Sequence, residues 1–141
     1  MKLDITRPDV WAATIDDRPG GVEGKLAPLA KAGASFEFVI ARRTPEKPGK
    51  GVVFVTPVKG AAQVKAAKAA GFKKAEGLHS VRVEGLDKPG LGARMAGTLA
   101  DAGINLRGVS AAAIGRKCVA YLAVDTAADA TKTVRALKAI H

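Results

Sequence analysis

The chain has 141 residues, 48% hydrophobic, 26% charged and only 4% aromatic, a balance that argues against disorder and coiled coil and leaves room for one domain or two very small ones. Its net charge is +10, and the stretch from Arg42 to Lys74 holds nine basic residues against Glu46 alone, or +8 of that excess. No run approaches the roughly 18 apolar residues of a membrane span, Asp4 stands where a secretory signal would be apolar, and Cys118 has only His79 and His141 to help it hold a metal, so a cytoplasmic protein without disulfide, metal or cofactor is expected.

In chain order, Leu3 and Ile5 give a short alternation within residues 2–6, and Trp11, Ala13 and Ile15 alternate with small or polar residues as a strand. After Asp17-Arg18-Pro19-Gly20, the spacing of Val22, Leu26, Leu29 and Ala30 predicts an amphipathic helix that Gly33 stops. Pro28 would clash inside that helix with the carbonyl of Gly24, which predicts a kink or irregularity. Phe36, Phe38 and Ile40, then Val52 and Phe54, alternate as a strand pair around the loop from Thr44 to Gly49, and residues 61–70 read as a helix. Val81 and Val83 begin the series again. Asp87-Lys88-Pro89-Gly90 leads into Leu91, Met95, Leu99 and Ala102 at helical spacing, with Gly103 as the stop. Ile104, Leu106 and Gly108, then Val119, Tyr121 and Ala123, form the second strand pair, and residues 127–140 a last helix with Ala130, Val134 and Leu137 on one face.

The chain is a repeat. An offset of 70 residues aligns Asp17, Pro19, Gly20, Leu29, Ala30, Ala32 and Gly33 with Asp87, Pro89, Gly90, Leu99, Ala100, Ala102 and Gly103. The second copy has lost three residues from the loop at Thr44 to Gly49, as expected of a surface Pro/Gly loop. Each copy reads strand, helix, strand, strand, helix, and the second ends without a last strand. Residues 72–78 are therefore expected to complete the first copy, and residues 2–6 the second. The expected division is 8–79 and 80–141, with 1–7 completing the second repeat.

A βαββαβ repeat with Asp-x-Pro-Gly before its first helix, followed by Ala-Gly-Ile-Asn-Leu at 102–106, resembles the ACT domain family of small-molecule sensors, in the tandem form of the small two-ACT bacterial proteins. The resemblance implies an α+β fold of two ferredoxin-like subdomains, each an antiparallel sheet with helices on one face. It implies a regulatory, non-enzymatic protein that binds a free amino acid between ACT subdomains and forms a homodimer or higher homo-oligomer. Carried over by position, the ligand-binding residues are Asp87, Pro89, Gly90, Leu91 and Asn105 in one copy and Asp17, Pro19, Gly20, Gly21 and Ser35 in the other. Ser35 and Gly21 depart from Asn105 and Leu91, so the second copy is expected to bind better.

The loop chemistry agrees with that implication. Gly20 and Gly90 let backbone N–H groups approach a ligand, a helix start favours an α-carboxylate, and Asp17 or Asp87 could accept from an α-ammonium. The plainer reading makes each Asp a helix cap and each Gly a turn. A regulatory subunit or assembly partner of a metabolic enzyme, acting through its surface, is a second reading. RNA-recognition modules share the βαββαβ order, but Lys50-Gly51-Val52-Val53-Phe54-Val55 keeps only Phe54 of the stacking aromatics, with Pro57 after it. Lys117-Cys118-Val119-Ala120-Tyr121-Leu122 fits no better, so nucleic acid is not the expected partner, and the basic segment reads as a solvated face. Gly20-Gly21-Val22-Glu23-Gly24-Lys25 lacks the spacing of a phosphate loop, and Gly90-Leu91-Gly92 lacks a third glycine.

Overall fold

The computed structural model describes residues 2–140, so His141 lies outside the described residues. In chain order its elements are β1 (Asp4–Thr6), β2 (Trp11–Asp16), α1 (Glu23–Lys31), β3 (Phe38–Arg43), β4 (Lys50–Thr56) and α2 (Gly60–Ala69). There follow β5 (Lys73–Lys74), β6 (His79–Leu86), α3 (Leu91–Asp101), β7 (Leu106–Ile114), β8 (Lys117–Val124) and α4 (Ala127–Lys138). Two compact units result, one from Asp9 to Ala75 and one made of the residues up to Pro8 together with those from Glu76 onward.

Each unit holds one four-stranded antiparallel sheet, in the order β3-β4-β2-β5 in the first and β1-β6-β8-β7 in the second. Both are βαββαβ folds with the same strand order, helices on one face. The last strand of the second is the N-terminal one: Asp4, Ile5 and Thr6 pair with Glu84, Val83 and Arg82. Leu3 and Ile5 pack against the core of this unit, and Gly85 makes room for Leu3, since a Cβ there would stand 2.7 Å from Cδ2 of that residue. In the first unit the equivalent strand is only β5, where Lys74 and Lys73 pair with Trp11 and Ala12.

Each core lies between sheet and helices. In the first unit Trp11, Ala13 and Ile15 meet Leu29 of α1 and Ala67 of α2. In the second, Val81 and Val83 meet Leu91, Met95 and Leu99 of α3 and Ala130 and Leu137 of α4. The inward faces of β4 and β8 differ from the alternation expected of them. Val53 and Val55 are fully buried rather than Val52 and Phe54, and Ala120, Leu122 and Val124 line the second core rather than Val119 and Ala123. Pairing decides this, because Val53 lies opposite Ala13 and Val55 opposite Trp11, and partners across a ladder share a face.

The helix α1 runs through Pro28. It starts at Glu23, two positions later in the repeat than α3, and Lys25 takes the place of Met95. The Lys25 ammonium donates to the Ala70 carbonyl at 2.7 Å, at the C-terminal end of α2, where a cation is favoured. Among the described residues no helix is long and apolar enough to cross a membrane.

Candidate functional site

The two Asp-x-Pro-Gly segments adopt one conformation. The N–H of Gly21 donates to the Arg18 carbonyl at 3.0 Å, and that of Leu91 to the Lys88 carbonyl at 3.1 Å. Gly20 and Gly90 have φ of 85° and 84°. Proline at the second position and a left-handed glycine at the third define a type II turn, in which only Gly or Asn fits easily. Each turn hangs from its sheet by the preceding Asp: the Asp17 N–H donates to Gly49 at 3.0 Å and the Asp87 N–H to Arg116 at 2.8 Å. Gly49 and Arg116 lie in the β3–β4 and β7–β8 connections, so sheet geometry positions both loops.

Neither Asp caps its helix, because α1 and α3 start without a side-chain cap hydrogen bond. What the carboxylates do instead separates the copies. Asp17 accepts from Nε of Arg43 at 2.8 Å, and the neighbouring Asp16 accepts from Lys50 at 2.6 Å. The Lys50 hydrogen bond, and then its charge, hold the Asp16 carboxyl below its ordinary range. Asp87 is exposed and has no ion-pair partner among the described residues. Its charge is felt by Cys118, whose thiol is pushed up mainly by burial and further by Asp87. Cys118 itself packs, half-buried, against the second core.

Positions 21 and 91 also have different duties. A Cβ at Gly21 would overlap the carbonyl oxygen of Asp16 and approach that of Arg18 at 3.2 Å, so the first turn tolerates no side chain there. Leu91 sends its side chain into the core, 5% exposed, and its N–H is committed to the turn. The first helical bond of α3 runs from Arg94 to Gly90 at 2.9 Å, which leaves the N–H groups of Gly92 and Ala93 without a helical acceptor. Those two donors did not emerge from the motif, whose pattern stops at Leu91.

Asn105 is exposed just beyond the C-terminal stop of α3, where Gly103 has φ of 75° and Ile104 donates to Leu99 at 2.9 Å. Ser35 holds the same place after α1, beyond Gly33 at 88° and the Ala34 to Leu29 bond at 3.0 Å. An α-helix rises about 1.5 Å per residue, so the 11 residues of α3 set Asn105 roughly 16 Å from the turn. Within one unit the loop and the Asn do not converge. His79, the first residue of β6, is half-buried opposite Val124. Among the described residues no three His, Cys, Asp or Glu side chains gather as metal ligands would.

The ACT domain family matches residues 79–141. This segment is an ACT domain. It comprises β6, α3, β7, β8 and α4, with β1 as the strand that closes its sheet, and the first unit repeats its topology. No curated protein sequence matches the chain. Among solved structures, a protein of Bacteroides thetaiotaomicron superposes with a TM-score of 0.79 at 14% identity, covering 95% of this chain and 88% of that one. The ligand-free regulatory subunit of aspartate kinase from Thermus thermophilus gives 0.64 at 17% identity, with 97% and 95% covered. Aspartate kinase from Synechocystis gives 0.63 at 18% identity, with 96% of this chain but 26% of that one covered. At these identities the likeness is one of fold, and it extends over both units.

Proposed function

We propose that the protein is a regulatory, non-catalytic amino-acid-binding module and that the ACT domain's Asp87–Gly90 loop holds the ligand. The observation that carries this reading is the contrast between the two carboxylates. Both loops leave two donors open at the helix start, but Asp17 is neutralised by Arg43, whereas Asp87 has no ion-pair partner among the described residues. An α-ammonium would pair with Asp87, and the α-carboxylate would take the N–H groups of Gly92 and Ala93, where the helix dipole favours an anion. Pro89 and Gly90 set the turn that presents those groups. Asn105 lies too far along its own unit to share that contact, so it would serve a ligand approached from a second ACT-type unit. By the same reasoning the loop with Asp17, Pro19, Gly20, Gly21 and Ser35 binds more weakly or not at all.

The fold neighbours named as regulatory subunits of aspartate kinase support a place beside a metabolic enzyme, whose activity the bound amino acid would tune. Calorimetry with each common amino acid tests the reading. At least one should bind, and Asp87→Asn should weaken it by about 2 kcal/mol, roughly thirtyfold, the worth of one charge-assisted hydrogen bond. Asp17→Asn should leave affinity unchanged. No binding by any amino acid, or dependence on Asp17 alone, would overturn the assignment.

A further inference from the structure

The stretch from Lys47 to Ala75 holds seven lysines and no carboxylate. Two of the seven are spent, Lys50 on Asp16 and Lys74 on Asp9. Lys65 and Lys68 are exposed on α2 and have no ion pair among the described residues. Three positions apart, they lie on one face of the helix. The second copy repeats them. At an offset of 67 residues, the 70-residue period less the three lost from the loop, Ala61, Lys65, Lys68 and Ala69 fall on Ala128, Lys132, Arg135 and Ala136 of α4. Lys132 and Arg135 are again exposed and without an ion pair among the described residues. Cations in the last turn of a helix suit its dipole, which accounts for Lys68 and Arg135. It does not account for Lys65 and Lys132, which stand mid-helix.

We propose that the exposed faces of α2 and α4 dock an acidic face of another protein. The α2 face is the stronger of the two, because Asp129 stands one turn before Lys132, where α2 has Ala62. Charge complementarity selects the occupant. Each unit is basic, with 12 basic against 6 acidic residues in the first and 11 against 7 in the second, so a second copy of this chain offers no complement. Nucleic acid is the poorer fit. Beside its lysines α2 exposes Gly60, Ala61, Ala62 and Ala69, which give no ring to stack on a base and no polar side chain to read one. Their small size instead lets a partner helix or loop come close enough for its carboxylates to meet both ammonium groups. The kind of partner rests on the regulatory reading, since a module that tunes an enzyme must hold it; the ligand loop takes no part in the contact.

Fluorescence anisotropy of the full chain with a labelled helical peptide carrying glutamates along one face tests this. The peptide should bind and its glutamine counterpart should not. Lys65→Glu with Lys68→Glu should weaken binding at least tenfold, and adding Lys132→Glu with Arg135→Glu should abolish it. Reversing Lys2 and Lys47, exposed cations off both helices, changes net charge as much as the α2 pair and should cost less than twofold. A peptide with lysines in place of the glutamates should bind the α2 variant better than the unmodified protein, which a misfolded variant could not show. Asp87→Asn should leave these affinities unchanged, so failure here and failure of amino-acid binding are read separately. No binding of the glutamate peptide, equal losses at α2 and at Lys2 with Lys47, or tighter binding of a single-stranded RNA that the α2 reversals abolish would overturn the proposal.

Discussion

Asp17 and Asp87 occupy the same place in two copies of one motif, yet one is bound and the other open. The difference arises 26 residues away in sequence, at Arg43, where β3 brings a guanidinium to the first loop. The motif makes both turns legible, because Pro followed by Gly suits a type II turn. It does not reveal the ion pair, since nothing in the spacing of Asp17 and Arg43 announces that two strand ends meet. Glycines show a related contrast. Gly21 is required by contact with the Asp16 and Arg18 carbonyls, whereas Gly97, inside α3, has open space where a Cβ would stand. Gly21→Ala should therefore cost about 2 to 3 kcal/mol, the usual penalty for forcing atoms into a filled space. Gly97→Ala should add about 0.5 to 1 kcal/mol through restored helix propensity. Urea unfolding of the two variants checks this, and shifts of the same sign would refute it.

At the scale of elements, the helices and turns were the more legible part. Both first helices end where Gly33 and Gly103 predict, and the missing last strand of the second copy is supplied by β1, Asp4–Thr6, as the repeat requires. The inward faces of β4 and β8 were not legible. Val52, Val53, Phe54 and Val55 are all apolar, so alternation carries no sign, and only the pairing of Val53 with Ala13 decides which residues meet the helices. Strands apolar on both faces always withhold this information. The docking of β1 allows a direct test. Deleting residues 1–7 removes the packing of Leu3 and Ile5 and bares the edge of β6, so the second unit should lose about 2 to 4 kcal/mol, at the usual worth of half-buried aliphatic side chains plus a strand's pairing. Amide exchange should accelerate at Val81 and Val83 while Val53 and Val55 keep their protection. Equal rates in both proteins would contradict the topology.

Over the whole molecule, a 70-residue period yields two βαββαβ units, each with its own core, and the family match falls on the second. Its placement agrees with the chemistry of the loops: the copy that keeps the pattern at Asp87, Leu91 and Asn105 also has the unpaired carboxylate. Length, period and turn residues sufficed to read the architecture, because each is local or repeats at a fixed interval. The proposed binding surface is legible only in part, because it depends on which charges the fold neutralises and which backbone donors it leaves over. On the proposed function, a free amino acid docks at the start of α3. The most direct measurement is an NMR titration of the backbone amides with the amino acid that calorimetry selects. Shifts should concentrate on residues 87 to 93, with Gly92 and Ala93 moving most as their N–H groups gain an acceptor, and residues 17 to 23 should stay in place. Saturable shifts at 17 to 23 with Gly92 and Ala93 unmoved would contradict the account.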